Sequence, residues 1–422
     1  MRKLSDPGER MATILAYTSP ALGHFLPISA LCAELARRGH AIHLRTLSSA
    51  VDMGQRFGFT TASIDPQVER IELDDWQATN PIAALKKSAV VFSRRAEYEV
   101  ADLAEAVART RPDALIIDVN CWGAQSAADA GTIPWACFSP YTPLLQSPGV
   151  PPFGLGLTPM RGVAGRLRDA VVRAAVVGRL ENIMLSPINA IRAQVGAAPA
   201  GSLDEHLRRA PLMPIASGKP FQYAETDWGP AVEMIGPCVL DPGPATVPEW
   251  VDAIERPIVL VTTSSEKQAD ANLVQSAIAA LADEPVHVIA TMPAETSELV
   301  AAAPNATVCR LVPHGMVLDR AVCAVTHGGM GATQKALARG VPVCVVPYGR
   351  DQLEVARRAE VAGCGTRLPA RKLSPARLRS KIREAMAMGE GARRVATGFV
   401  ATGGTSRGAD LVEQRVLGRT AG

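Results

Sequence analysis

The sequence predicts an α/β protein made of two similar parallel-sheet halves, and three observations carry that prediction. Short β-branched runs alternate with segments of helical period along most of the chain. The alternation restarts after a proline-rich stretch past the middle. Finally, 422 residues are long for one hydrophobic core and suit two domains of about 200 residues each.

In the first half, Ala12–Tyr17 reads as a strand. Pro27–Arg38 reads as a helix with Ile28, Leu31 and Leu35 on one face. The turn Arg38-Gly39-His40 announces the strand Ala41–Thr46. Residues 81–109 have helical character, followed by the strand Ala114–Asp118, the helix Gly123–Ala130 and the strand Ile133–Phe138. Residues 140–159, PYTPLLQSPGVPPFGLGLTP, form an uncharged loop rich in proline and glycine, expected to wall a pocket for an apolar ligand. Residues 236–256 read as the interdomain linker.

Beyond the linker come a strand at Ile258–Thr262, a helix at 269–281, and strands at 286–290, 306–310 and Val322–Thr326. A helix at 331–339, a strand at 342–347, a helix at 351–362 and terminal helices complete the second half. The expected architecture is therefore two Rossmann-like domains facing each other across a cleft, residues 11–235 and 257–400. A C-terminal helical segment, 401–422, is expected to pack back on the first domain.

Composition narrows the function. Apolar residues make up 47% of the chain and charged residues 20%, which describes a globular protein with ample core material. The net charge of +3 is small and scattered, and 4% aromatic residues give little for bases to stack on, so a nucleic-acid partner is not expected. No apolar stretch approaches the ~18 residues needed to span a bilayer. The opening MRKLSDPGER lacks an apolar core and reads as a floppy leader. Eight widely spaced cysteines without a C-x-x-C pair suggest buried free thiols and a cytoplasmic location.

The densest chemistry lies in AVCAVTHGGMGATQKALARGVPVCVVPYGRDQ. A strand runs into His327-Gly328-Gly329-Met330-Gly331 and a helix begins at once. Glycines there permit a tight turn and close backbone approach, and the free N–H groups of the helix start attract an anion such as a phosphate. His327 and the Thr333 hydroxyl can add side-chain donors. The pattern is neither G-x-G-x-x-G nor a P-loop, which disfavours nicotinamide chemistry and P-loop NTPases. At the next strand end, Asp351 and Gln352 can serve sugar hydroxyls, although Asp351 can equally be read as the cap of the helix that follows.

These motifs resemble a family: the nucleotide-sugar-dependent glycosyltransferases of the GT-B fold, family one, in the style of actinobacterial enzymes that decorate macrolide, enediyne and other polyketide aglycones. The resemblance covers nearly the whole chain and rests on GHFLPISALCAELARRGH, IGPC, VPHGMVL, THGGMGATQKALARGVP and PYGRDQ, with 24 residues separating His327 from Asp351. It implies a dTDP- or UDP-sugar as co-substrate and no cofactor. The diphosphate would lie on His327, Gly328, Gly329, Gly331 and Thr333, the sugar on Asp351 and Gln352, and the base near Val312. Ser264 and Ser265 would make a further phosphate contact.

The resemblance further implies that His24 is the general base and Asp118 its partner, in an inverting transfer that needs no metal. An imidazole of ordinary pKa suits proton abstraction near neutrality. No D-x-D triplet occurs, and the Asp74-Asp75 pair reads as part of an exposed charged segment. The acceptor is expected to be large and apolar, with candidate lining at Phe92, Trp122, Tyr141, Leu144 and Phe153. A homodimer is left open. Two departures from the family stand out: Lys335 replaces a glutamate proposed to bind ribose and reads as a solvated lysine, and Leu311 replaces an aromatic that often flanks the base. The rival readings are a nucleotide-sugar epimerase of the same fold and a non-catalytic auxiliary partner of a transferase.

Overall fold

The structure, a computed structural model, describes residues 11–78, 81–241, 248–266, 268, 270–294 and 303–419. The leader at 1–10 and positions 242–247 of the expected linker lie outside the described residues.

The first sheet holds β1 (Thr13–Tyr17), β2 (Ala41–Thr46), β3 (Thr60–Ser63), β4 (Ala114–Asp118) and β5 (Trp135–Phe138), all parallel in the order β3-β2-β1-β4-β5. Two short parallel strands, β6 (Met213–Ile215) and β7 (Val232–Met234), continue it through bridges from Ala136 to Leu212 and from Ser139 to Ile215. The second sheet holds β8 (Ile258–Thr262), β9 (His287–Thr291), β10 (Ala306–Cys309), β11 (Ala321–Thr326), β12 (Val343–Val345) and β13 (Gly365–Arg367). These strands are also parallel, in the order β10-β9-β8-β11-β12-β13. The predicted two-domain α/β class is thus observed.

Each sheet is covered on both faces, which is why its central strands are continuous apolar runs rather than alternating ones. In β1, Ile14 and Ala16 enter one core while Leu15 and Tyr17 enter the core on the opposite face. In β8, Ile258 and Leu260 divide from Val259 and Val261 in the same way. All eight cysteines are unpaired thiols, seven of them buried.

The last described helical residues pack on the first half. The helix Gly404–Leu411 and the turn after it place Ala409, Leu411, Val412 and Val416 in the same core as Leu31 and Leu35. Gly408 permits this approach, since a Cβ there would lie 2.8 Å from Ile235 Cδ1 and 2.9 Å from Leu31 Cδ1. Arg38 then donates to Asp410 at 2.6 Å and to Glu413 at 2.7 Å.

One boundary differs from expectation in a way that matters for the site. The first helix runs Leu22–Arg37 and holds Pro27 in its interior. The N–H groups of His24 and Phe25 both donate to the Ala21 carbonyl at 3.0 Å, so backbone alone starts the helix. The predicted boundary at Pro27 falls a turn and a half inside the helix. The proline is buried against the core, and its missing N–H removes one bond of the helix ladder. His24 therefore sits in a first helical turn, not in a loop.

Candidate active site

In both sheets the strand order reverses beside the central strand, between β1 and β4 and between β8 and β11. The carboxyl ends of strands at such a switch point leave a crevice where α/β proteins bind ligands. The residues singled out in the sequence fall at these two crevices. His24 follows β1 and Asp118 ends β4, while Ser264 and Ser265 follow β8 and His327 follows β11.

His24 Nδ1 lies 2.7 Å from Asp118 Oδ2, and the carboxylate is fully buried while the imidazole is 16% exposed. Asp118 is held in turn by the Asn120 N–H, which donates to its Oδ1 at 2.8 Å. Asn120 also places its side-chain nitrogen 3.3 Å from His24 Nε2, and its Oδ1 accepts from the Tyr141 hydroxyl at 2.7 Å. Because the tyrosine donates to the amide oxygen, the amide NH₂ faces the imidazole. That assigns the neutral tautomer with Nδ1–H on Asp118 and a lone pair on Nε2. The Tyr141 ring meets His24 edge-on at 5.8 Å. Burial pushes the imidazole down, but Asp118, with Asp351 and Glu266 farther off, raises it above its ordinary 6.5 on balance.

Across the cleft, the glycine turn requires glycine at Gly328 and leaves little room at Gly329. Gly328 has φ +97°, and a Cβ there would lie 2.8 Å from Gln352 Cβ. A Cβ on Gly329 would lie 2.4 Å from His327 Nε2, whereas one on Gly331 would meet nothing within 4 Å. The helix Met330–Ala338 thus opens its N-terminal turn to the cleft at Gly331. Burial holds the His327 imidazole below 6.5, with Asp270 pulling the other way, and its Nδ1 lies 3.4 Å from the Thr262 carbonyl.

Thr333 does not join this surface as expected. It is fully buried, and its hydroxyl lies 3.1 Å from that of Thr326, where it secures the junction of strand and helix. Ser264 is buried as well: its N–H donates to Asp270 at 2.7 Å and its hydroxyl accepts from the Glu266 N–H at 3.0 Å, while Ser265 is half-buried beside it. Val312 is buried in the core, and the neighbouring Leu311 is 57% exposed.

Asp351 stands at the N-cap of the helix Gln352–Val361 but makes no side-chain capping bond. Burial raises its carboxyl above the ordinary 3.8, opposed by its own backbone N–H, Arg350 and His24. Gln352 holds the loop together, its Oε1 accepting the Tyr348 and Gly349 N–H groups at 2.7 and 3.0 Å and its amide donating to Gln268.

The expected acceptor lining divides. Phe92 and Trp122 meet edge-on at 5.4 Å and pack with Met184 and Ile188 in an interior cluster. The cause is Gly123, where a Cβ would lie 2.0 Å from the Ala96 carbonyl, so the two helices press together and the tryptophan is captured between them. Leu144 and Phe153 line a small cavity with Pro152 and Leu203, and Tyr141 belongs to the His24 network. The loop at 140–159 is also anchored on the second half: the Gly154 and Gly156 N–H groups donate to Glu354 Oε1 at 2.9 and 2.8 Å, and Arg357 donates to the Gly156 carbonyl at 2.8 Å.

Two further expectations are corrected. Lys335 is not a solvated lysine but donates to Asp241 at 2.5 Å and to the Leu240 carbonyl at 3.1 Å, with 13% of its side chain exposed. Asp75 is not exposed. It is buried and paired with Arg350, while Asp74 pairs with Lys87. Asn120, Glu266 and Arg350 were not singled out in the sequence. Arg350 lies within PYGRDQ and Asn120 beside Asp118, but the contacts that give them a role, to Asp75, His24 and Tyr141, form only when distant segments meet, and Glu266 comes near His24 and Arg350 in the same way.

Comparison with known proteins identifies the fold and the class of enzyme. Residues 275–407 match the family model described as Erythromycin biosynthesis protein CIII-like, C-terminal domain. The 4'-demethylrebeccamycin synthase of Lentzea aerocolonigenes is 29% identical over 391 residues, covering 88% of this chain and 91% of that protein. The 3-alpha-mycarosylerythronolide B desosaminyl transferase of Saccharopolyspora erythraea is 31% identical over 185 residues, 42% of this chain and 44% of that one. Among solved structures, the glycotransferase of kitacinnamycin superposes with a TM-score of 0.73 at 24% identity, covering 96% of this chain and 99% of that one. The glycosyltransferase VinC in complex with dTDP does so with a TM-score of 0.70 at 20% identity, covering 96% and 100%. The fold is GT-B, and the chain is a glycosyltransferase. More narrowly, it is a sugar-transferring enzyme of the natural-product type.

Proposed function

We propose that this enzyme transfers a sugar from a dTDP- or UDP-sugar to a hydroxyl of a large apolar acceptor, without a metal and with inversion at the anomeric carbon. The observation that carries the reading is the His24–Asp118 pair, bonded at 2.7 Å and within electrostatic reach of Asp351 from the opposite half. The lone pair on His24 Nε2, where the acceptor hydroxyl replaces the 3.3 Å Asn120 contact, takes the acceptor proton as that oxygen bonds to the anomeric carbon. The bond from that carbon to the diphosphate oxygen breaks in the same displacement, and Asp118 stabilises the imidazolium that forms.

The leaving diphosphate gathers charge, which the open helix N-terminus at Gly331 and the neighbouring backbone N–H groups receive. Asp351 accepts from sugar hydroxyls, and the uncharged loop at 140–159 forms one wall of the acceptor site. VinC, solved with dTDP, lends support to a nucleotide diphosphate as a ligand.

The test separates chemistry from binding. Calorimetry with dTDP and UDP in chelator is expected to show binding to wild type and to His24→Ala alike. Sugar transfer from dTDP- or UDP-glucose to a panel of apolar aglycones is expected to fall by about 10²- to 10⁴-fold in His24→Ala. Undiminished turnover would sink the assignment of the base, and absence of nucleotide binding to wild type would sink the donor site.

A further inference from the structure

Asp75 and Arg350 are 275 positions apart, yet they meet in a two-point ion pair. Arg350 Nε donates to Asp75 Oδ2 at 2.8 Å and Nη2 donates to Oδ1 at 2.7 Å. Asp75 opens a short 3₁₀ turn, Asp75–Gln77, ahead of the long helix Pro81–Thr110 of the first half. Arg350 belongs to the loop after β12 in the second half, immediately before Asp351. The carboxylate is 5% exposed and the guanidinium side chain 25%.

Two features show that this pair does more than join surfaces. Arg350 has φ +53°, a left-handed conformation disfavoured for a residue with a side chain. The loop accepts that strain directly beside the carboxylate proposed to hold the sugar. Arg350 also lies within electrostatic reach of two other anions, Asp351 and Glu266. Neither makes a side-chain hydrogen bond to it, so Asp75 holds the cation in competition with two anions of its own half. A buried ion pair gains little net stability, because desolvation offsets attraction, but parallel bonds to both carboxylate oxygens fix the guanidinium plane.

We propose that Asp75 is a positioning residue for the donor sugar: by holding Arg350 from the opposite half, it keeps that cation off Asp351 and leaves the Asp351 carboxylate open to sugar hydroxyls. The pair forms only when the two halves are together, so the sugar-binding group is presented when the cleft is assembled. This rests on the donor-site reading above, in which Asp351 holds the sugar and the glycine turn holds the diphosphate.

The experiment uses dTDP, UDP, dTDP-glucose and UDP-glucose as probes and compares each sugar nucleotide with its own diphosphate by calorimetry. In Asp75→Asn, affinity for the sugar nucleotide that wild type binds most tightly is expected to fall about tenfold, with the bare diphosphate within about twofold. Removing the freed cation, in Asp75→Asn combined with Arg350→Ala, is expected to recover most of the loss, which a merely structural defect would not do. Equal weakening of diphosphate and sugar nucleotide, no change on either, or a double variant no better than Asp75→Asn overturns the assignment. If wild type binds neither diphosphate, the donor-site reading itself fails, an outcome distinct from all three.

Discussion

The crevice between β1 and β4 presents side chains, whereas the crevice between β8 and β11 presents backbone. On the first side, an imidazole, a buried carboxylate, an amide and a phenol form one hydrogen-bonded chain from Asp118 to Tyr141. On the second, the space is made by glycines whose neighbours leave no room for a Cβ, at Gly328 and Gly329, or leave it open, at Gly331. The same topology thus serves two tasks. Proton transfer needs a group with a tuned pKa, while an anion of fixed charge needs donors that neither titrate nor reorganise.

The contrast is broken most severely at Asp118. Asp118→Asn removes the charge that holds His24 above 6.5 and leaves burial to push it down. The acid limb of kcat/KM, set above 6.5 in wild type, is therefore expected to move to lower pH. At the plateau, kcat is expected to fall by about 10²- to 10⁴-fold, because the asparagine amide no longer enforces the tautomer with Nε2 free. A pH profile with an unmoved acid limb would count against Asp118 as the partner of the base. Nucleotide diphosphate binding should be indifferent to this change.

The backbone side is sharpened by a pair of alanines. Gly329→Ala drives a Cβ to within 2.4 Å of His327 Nε2, so the ring must move. Diphosphate affinity is expected to drop about tenfold or more, together with a lower Tm. Gly331→Ala meets nothing within 4 Å and should leave Tm unchanged. If the diphosphate lies where proposed, Gly331→Ala still weakens it, since the methyl occupies ligand space. Calorimetry and thermal unfolding on both variants decide this, and full tolerance at Gly331 would place the anion elsewhere.

How much of this was legible in the sequence follows from the same physics. β1, β4, β8 and β11 could be read because strands covered on both faces must be apolar throughout; Asp118 ends β4, His327 follows β11, and His24 opens the helix after β1. The start of the first helix could not, because Pro27 carries the usual start signal while the actual start, at Leu22, is made by the Ala21 carbonyl without a side-chain cap. Trp122 could not be assigned either, since a tryptophan at a strand end reads equally as lining or core until Gly123 is seen pressed on Ala96. Asp75 and Arg350 were the least legible: a charge pair carries no periodicity, and its two members are brought together only by the way the halves meet.

The loop at 140–159 shares that dependence, and it carries the smallest expected effect. Its Gly154 and Gly156 N–H groups converge on one oxygen of Glu354, whose other oxygen accepts from Arg358 at 2.5 Å, with both of those side chains nearly fully buried. Glu354 lies one turn into the helix that begins beside Asp351, so the loop is fastened to the second half by this carboxylate together with the Arg357 bond to the Gly156 carbonyl. Glu354→Gln keeps an acceptor oxygen but loses the charge on three hydrogen bonds, at about 1 kcal/mol for those that matter to the loop. If the loop walls the acceptor site, the acceptor KM is expected to rise about fivefold, with kcat and diphosphate affinity nearly unchanged. If the loop only braces the two halves, Tm falls and the acceptor KM does not move. Steady-state kinetics on one aglycone with saturating donor therefore distinguishes a wall from a brace.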